Sequence, residues 1–420
     1  MVTASQAAES APDQLLRAIL HGAPNDDLHA LLGELRETAP VHRSALGPVW
    51  VLTRHADVQL ALRDPRIRKG DASVADILTA PGFATRAVPS VTTSPALVFL
   101  NPPDHTRLRS LVSAGFTPTR VEAMRPRIEA VVEALLDAAE REAAASPEGV
   151  VEVMSSLAFP LPVQVIGDLV GVPEPDQAQF RALVRASAVA LEPGASDDAI
   201  RAADRAAKQM AAYFGSLVTE RKKAPTDDLI SALLAVRDGD EKLTRRELVV
   251  TVTLLFSAGF ETTMNLIGNG LSLVLSRPEA RAGLLADAGL IGPMIEEVLR
   301  YESPVQVDGG IVAEPICIGG IDVPVGEWVL TLLGAANRDP LVFGADADTF
   351  RIDRSPNPHL AFSSGIHFCL GAGLARLEGA VFFQRFLERF PRARLVDPTP
   401  AWRPGIVFRG VERLPIQLDP

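Results

Sequence analysis

Helical periodicity runs through most of the chain between Asp27 and about Ser303, with short strand signals on both sides of it. Apolar residues recur at spacings of three and four at Leu28, Leu31, Leu32 and Leu35, and again at Ile128, Val131, Val132, Leu135 and Leu136. The strand signals are Val49-Trp50-Val51-Leu52, the segments Ile316–Ile318 and Ile321–Val323 joined by Gly319-Gly320, and Trp328 to Leu333. A small sheet gathering segments from both sides of a helical mass makes one folding unit. The sequence therefore predicts a mainly α fold with a small β-rich region, a single domain over 14–420 behind a disordered tail at 1–13. The stretch from Asn337 to Leu360, with Pro340, Gly344, Pro356 and Pro358, reads as irregular chain anchored by Phe343, Phe350 and Ile352.

With 41 Lys+Arg against 52 Asp+Glu in 420 residues, the net charge of −11 argues against a sequence-independent nucleic-acid binder, which needs a basic surface. Only Cys317 and Cys369 occur, too few for a disulfide scaffold and in keeping with a reducing compartment. The N-terminus shows no basic region followed by an apolar stretch, so no secretory signal is read there. The most apolar segment, Leu248 to Leu275, is interrupted by Glu261, Asn265 and Asn269, which argues against a membrane anchor. These features predict a soluble, cytoplasmic protein.

His359 to Arg376 reads HLAFSSGIHFCLGAGLAR and places Cys369 just before a helix starting near Gly371. Unpaired amides and the helix dipole favour an anionic sulfur at such a place, and a thiolate ligates metal. Gly365 and Gly371 remove side chains on either side of the sulfur, as a flat macrocycle would require. Taken alone, Cys369 can equally be a buried free cysteine, or half of a zinc site with His367, although no further Cys or His completes a tetrahedron. The loop resembles the iron-ligand loop of the cytochrome P450 family, the haem-thiolate monooxygenases: Phe362, Gly365, His367, Cys369, Gly371, Leu374, Ala375 and Arg376 match its pattern, and Ser363 stands where glycine is usual. The resemblance implies haem b as cofactor, Cys369 as iron ligand, and haem lying between a long central helix and the cysteine-loop helix.

That central helix is announced by Thr244-Arg245-Arg246-Glu247, a capping-box pattern opening a helix that runs to about Ser276 before Pro278. Ala258, Glu261, Thr262 and Asn265 stand three or four apart on it, with Gly259 beside them, in otherwise apolar surroundings. Such a stripe can be solvated, and a threonine there can bond back to the carbonyl four residues earlier. The segment is also similar to the family's oxygen-activating helix, which implies that Ala258 and Gly259 make room for dioxygen, with Glu261 the acid and Thr262 the alcohol of proton delivery.

Glu297 and Arg300, three apart on one helix, resemble the family's Glu-x-x-Arg, and Arg354 falls where a third member is expected; all three are assigned a structural role. Ala347 departs from pattern where proline is common. His105 and Arg109 share a helix face in NPPDHTRLR, by default a solvated one. By resemblance they meet the haem propionates together with His367. Gly310 stands where the family often has a further propionate-binding arginine.

The resemblance spans nearly the whole chain, from Trp50 to the C-terminal RPGIVFRG. It implies insertion of one atom of dioxygen into a lipophilic small molecule, with electrons from a separate ferredoxin and ferredoxin reductase, since no flavin or nicotinamide fingerprint is fused here. Docking of such a partner would depend on a local basic patch near Cys369, including Arg109. A peroxygenase, a thiolate-haem isomerase or dehydratase, and a non-catalytic haem or lipophile binder are the alternatives. The stretch Ile67 to Val98 and the region Leu191-Glu192-Pro193-Gly194 resemble mobile substrate-access elements, and Leu255, Val305, Gln306 and Val407 are expected to line the substrate cavity.

Overall fold

The computed structural model describes residues 10–21, 28–69, 96–192, 195–238 and 241–418. Its helices of ten residues or more are α1 (Ala11–Leu20), α2 (Leu28–Thr38), α3 (Asp104–Ser113), α4 (Arg125–Ala145), α5 (Pro160–Val170), α6 (Phe180–Val189), α7 (Asp197–Lys223), α8 (Arg245–Leu275), α9 (Ile291–Tyr301) and α10 (Ala372–Arg389). The strands are β1 (Val41–Ser44), β2 (Val49–Leu52), β3 (Ile67–Arg68), β4 (Val150–Glu152), β5 (Val307–Val312), β6 (Ile316–Ile318), β7 (Ile321–Val323), β8 (Trp328–Leu332), β9 (Arg394–Leu395) and β10 (Pro415–Gln417).

The predicted gathering of remote segments is present. The five-stranded sheet has the order β1-β2-β8-β5-β3, with β2 and β8 parallel and the other pairs antiparallel. β6 and β7 form the expected hairpin, and both glycines of its turn take positive φ, 57° at Gly319 and 82° at Gly320. A second sheet, β4-β10-β9, joins the C-terminus to mid-chain. The tail expected at 1–13 is corrected at its end: α1 begins at Ala11, where the Ser10 hydroxyl accepts the Asp13 amide. Asp13 is buried and accepts from Ser44 Oγ at 2.7 Å and bonds His42 Nε2 at 2.9 Å, fastening α1 to β1. Residues 70–95, Pro193 and Gly194 from the expected access elements lie outside the described residues.

α8 is the axis of the core. Its capping box is complete: the Glu247 amide donates to Thr244 Oγ1 at 3.2 Å, and the Thr244 amide to Glu247 Oε2 at 2.8 Å. Toward its C-terminal end it meets α10 closely because the facing residues are small. A Cβ on Gly270 would lie 2.4 Å from the Phe383 ring, and one on Gly379 would lie 3.3 Å from Ile295 and 3.6 Å from Leu266. This helix is long and apolar enough to cross a membrane by length and composition, but it is mostly buried inside the protein. Its two asparagines point into protein: Asn269 Nδ2 donates to the carbonyls of Glu302 and Arg409, both at 3.1 Å.

Candidate active site

Cys369 is presented by a loop that closes on itself. Its amide donates to the Phe362 carbonyl at 2.9 Å across a 3₁₀ turn at Gly365–His367. Gly365 holds φ 74°, and a Cβ there would lie 2.7 Å from the Leu62 carbonyl oxygen, so glycine is fixed by backbone conformation and packing against the chain. That corrects the expectation that Gly365 clears space beside the sulfur. Gly371 caps α10, and a Cβ on it would meet nothing within 4 Å. Cys369 is exposed, as is Phe368 before it.

The expectation of a thiol made acidic by its position is not met in the protein alone. Burial pushes the Cys369 thiol up, while the Gly371 and Ala372 amides and the charges of Arg109 and Arg376 pull it down without prevailing. The groups that favour a thiolate are thus in place, and a metal cation would add the missing term. Arg109 also donates Nη2 to the Phe368 carbonyl at 2.8 Å. Arg376 lies over the buried Phe362 ring, 4.6 Å from its centroid, and pairs with Glu296 through Nε at 2.7 Å and Nη2 at 2.8 Å. Glu296, which also bonds His359 Nε2 at 3.1 Å, is held down at about 2 although burial alone would raise it.

On α8, Ala258 is exposed and Gly259 half-exposed between buried Phe256 and Phe260, and Thr262, one turn on from Ala258, is half-exposed. α8 and α10 meet at Gly270 and Phe383, and toward their other ends both Ala258 and the Cys369 loop are open. Thr262 Oγ1 donates to the Ala258 carbonyl at 2.8 Å, the back-bond four residues earlier. Glu261 is buried and faces elsewhere: it pairs with Arg403, a residue the sequence reading did not single out. Burial pushes the Glu261 carboxyl up, and Arg403 and Arg185 pull it down. The two lie at a cavity of about 180 Å3 also lined by Phe159, Arg181, Arg185 and Glu412. The acid and the alcohol are therefore neighbours in sequence with separate hydrogen-bond partners.

The expected charge triad is assembled and fully buried. Arg300 donates Nε and Nη2 to the two oxygens of Glu297, each at 2.7 Å, and Arg354 Nε reaches the same carboxylate at 3.1 and 3.2 Å. Arg300 also donates to the carbonyls of Asn337 at 2.9 Å and Ala347 at 2.7 Å, so at position 347 the carbonyl oxygen does the fastening. Arg351 N and Asn357 Nδ2 complete the shell of Glu297 at 2.9 and 3.1 Å. The irregular stretch before the cysteine loop is thereby tied to α9.

His105 and Arg109 share a face of α3 as expected; His105 on it is buried, while Arg109 is half-exposed. The His105 ring lies 4.4 Å from that of His367, and its Nε2 is buried with no hydrogen-bond partner. His367 is pushed down to about 3, by burial first and then by the charge of Lys69. Lys69 and Asp308, both missed by the sequence reading, pair beside this cluster. Their signal was their nearness to Gly310 in the sheet, which only the pairing of β3 with β5 reveals.

Of the expected pocket residues, Val305 and Val407 are brought together: Val305 bridges Phe408, and the Gln306 amide donates to the Val407 carbonyl at 3.0 Å. Gln306 is 1% exposed, and its Nε2 donates to the Ser303 carbonyl at 2.7 Å, which supports the turn. Leu255 is half-buried on α8. Glu192, from the access region, accepts the amides of Ile406, Val407 and Phe408 at 2.7, 3.0 and 3.2 Å.

The family model for cytochrome P450 matches residues 69–401. The chain belongs to the cytochrome P450 family. It is 42% identical over 381 residues to cytochrome P450 107B1 of Saccharopolyspora erythraea, covering 88% of this chain and 89% of that protein. It is 39% identical to a vitamin D(3) 25-hydroxylase of Pseudonocardia autotrophica, covering 93% and 94%. The crystal structure of P450BioI in complex with hexadec-9Z-enoic acid ligated acyl carrier protein superposes with a TM-score of 0.84 at 36% identity, covering 94% of this chain and 99% of that one. This cytochrome P450 is an oxidoreductase of the monooxygenase class with a haem cofactor. Its residues fit that cofactor. His105 Nε2 is orphaned in a cluster with Lys69, Arg109 and His367, a gathering of hydrogen-bond donors that two carboxylates would satisfy. The zinc alternative fails: among the described residues no three metal-ligating side chains lie together.

Proposed function

We propose that this cytochrome P450 binds haem b through Cys369 and inserts one atom of dioxygen into a lipophilic small molecule, with electrons from a ferredoxin and its reductase in the cytoplasm. The observation that supports it best is the combination of an exposed cysteine, flanked by the amides of Gly371 and Ala372, with the unsatisfied ring nitrogen of His105. Haem supplies the redox chemistry that splits dioxygen. Cys369 offers the sulfur ligand, with Arg109 and Arg376 favouring its anionic form. His105, Arg109 and His367 would hold the propionates, Phe362 packs against Arg376 in the ligand loop, and Ala258 and Gly259 would leave room for dioxygen.

Glu261 and Thr262 divide the proton work. Thr262, already donating to the Ala258 carbonyl, offers its oxygen lone pairs as an acceptor. Glu261 holds a proton more readily than an ordinary carboxyl because it is buried, and it lines the cavity it shares with Arg403, from which a proton would be taken up. Arg109, beside Phe368 and Cys369, belongs to the face on which the electron donor docks.

The substrate class is lipophilic because Leu255, Val305 and Val407 are apolar, and because relatives at this similarity include a vitamin D(3) hydroxylase and a 6-deoxyerythronolide B hydroxylase. The test is a spectral titration of the holoenzyme with terpenoids, fatty acids, steroids and polyketides, followed by oxygen and reductant consumption. Substrate-stimulated consumption with an oxygenated product supports the reading; binding without turnover would instead make the protein a lipophile carrier.

A further inference from the structure

Gly310 stands where an arginine is usual, and the fold leaves no room for any side chain there. A Cβ on Gly310 would lie 2.7 Å from the Arg68 carbonyl oxygen and 2.8 Å from Ile67 Cγ2, because β3 runs against β5 with Arg68 opposite Ile311. The strand that excludes a side chain at 310 ends immediately before Lys69. Lys69 Nζ bonds the Asp308 carboxylate and, at 2.9 Å, the Gly309 carbonyl, the two residues that precede Gly310. The lysine is thus anchored on the same strand whose own residue cannot carry a cation.

Its backbone is fixed from the other direction. The Lys69 amide donates to Asn101 Oδ1 at 2.9 Å, and Asn101 Nδ2 donates back to the Lys69 carbonyl at 2.6 Å. Asn101 leads into α3, so Lys69 is held in register with His105 and Arg109. The second departure from the family pattern meets the first here: Ser363, with φ 63°, brings its Oγ to 3.5 Å from Asp308 Oδ2.

An ammonium has three N–H donors and no acceptor. Two are used by Asp308 and Gly309, which leaves one, on a side chain only 14% exposed and beside three further donors. The geometry points to Lys69 as the cation that meets a haem propionate in place of an arginine at position 310, with Asp308 and Asn101 as its positioning residues. This rests on the haem reading above and adds to it a residue from outside the family's pattern. A guanidinium that forks onto a carboxylate is replaced by a point charge, so the interaction is less directional and depends on the clamp that holds it.

The experiment measures haem transfer from the holoenzyme to excess apomyoglobin, for native haem and for its dimethyl ester, whose propionates carry no charge. Lys69→Met loses native haem about ten- to a hundredfold faster than the unaltered protein, the range for one charge-assisted hydrogen bond, while the two proteins lose the ester equally fast. Lys69→Arg, which keeps a cation, stays close to the unaltered rate; Lys69→Gln repeats the comparison if Lys69→Met does not fold. Equal loss of native haem from Lys69→Met and unaltered protein would overturn the inference, and so would acceleration of both haems alike, which would make Lys69 only a fastening of β3. A chain that takes up no haem at all would overturn the underlying reading instead.

Discussion

The rings of His105 and His367 pack with centroids 4.4 Å apart, although one belongs to α3 and the other to the loop before α10. Two imidazoles this close, with Nε2 of the first unsatisfied, cannot both be charged without an anion between or beside them. Their contact is what turns two separate sequence motifs into one side of a cofactor site. His105→Ala is expected to weaken haem retention about ten- to a hundredfold, read by haem transfer to apomyoglobin, with the helical content unchanged by circular dichroism.

The buried triad sets the position of the cysteine loop. Arg354→Ala leaves Glu297, which is fully buried, short of one of its two arginines, and is expected to cost about 3–5 kcal/mol of stability. Denaturant unfolding measures this, and haem should leave at a lower denaturant concentration than in the unaltered protein. A cost below about 1 kcal/mol would mean that the irregular stretch is held by its apolar anchors instead.

Thr262→Ala removes the hydroxyl that back-bonds to Ala258. Haem binding is expected to be kept, while product formed per reductant consumed falls about tenfold or more, with peroxide making up the difference. Thr262→Ser, which keeps an O–H, should recover most of the coupling. Unchanged coupling in Thr262→Ala would restrict that hydroxyl to its helix bond.

Arg403→Gln removes the strongest group pulling the Glu261 carboxyl down, and burial then raises it further. If the carboxylate form of Glu261 relays protons, the acidic limb of the turnover–pH profile moves to higher pH. A profile that does not move would place proton entry elsewhere.

Glu378 on α10 is buried with one carboxylate oxygen unpaired, and burial pushes it up to about 8 from 4.5. Because the folded value is the higher one, the unfolded chain releases this proton first. The stability contributed is complete below pH about 4.5 and declines as pH rises to about 8, beyond which the decline levels off. Glu378→Gln should abolish that decline, so that the variant is relatively more stable at pH 9 than at pH 5 when both proteins are unfolded by denaturant.

The sequence carried the α-rich class, the β6–β7 hairpin and the capping box of α8 because each depends on residues close in the chain. The cysteine loop, the triad and the His105–Arg109 pair were legible for a different reason: each is a spacing within one element, which survives whatever the rest of the chain does. What could not be read are partners supplied by remote backbone. Arg403 meets Glu261 only because the C-terminal turn folds back onto α8, and Lys69 meets Asp308 only because β3 pairs with β5. The Cys369 thiol failed in its direction of shift because burial, which a sequence does not display, outweighs two amides and two arginines.

The most direct test of the whole account is the absorption spectrum of the purified holoenzyme reduced under carbon monoxide, compared with that of Cys369→His. The account predicts the long-wavelength Soret band of thiolate-bound iron in the unaltered protein and its replacement by an imidazole-type band in the variant; an imidazole-type band or no haem absorbance in the unaltered protein would contradict it.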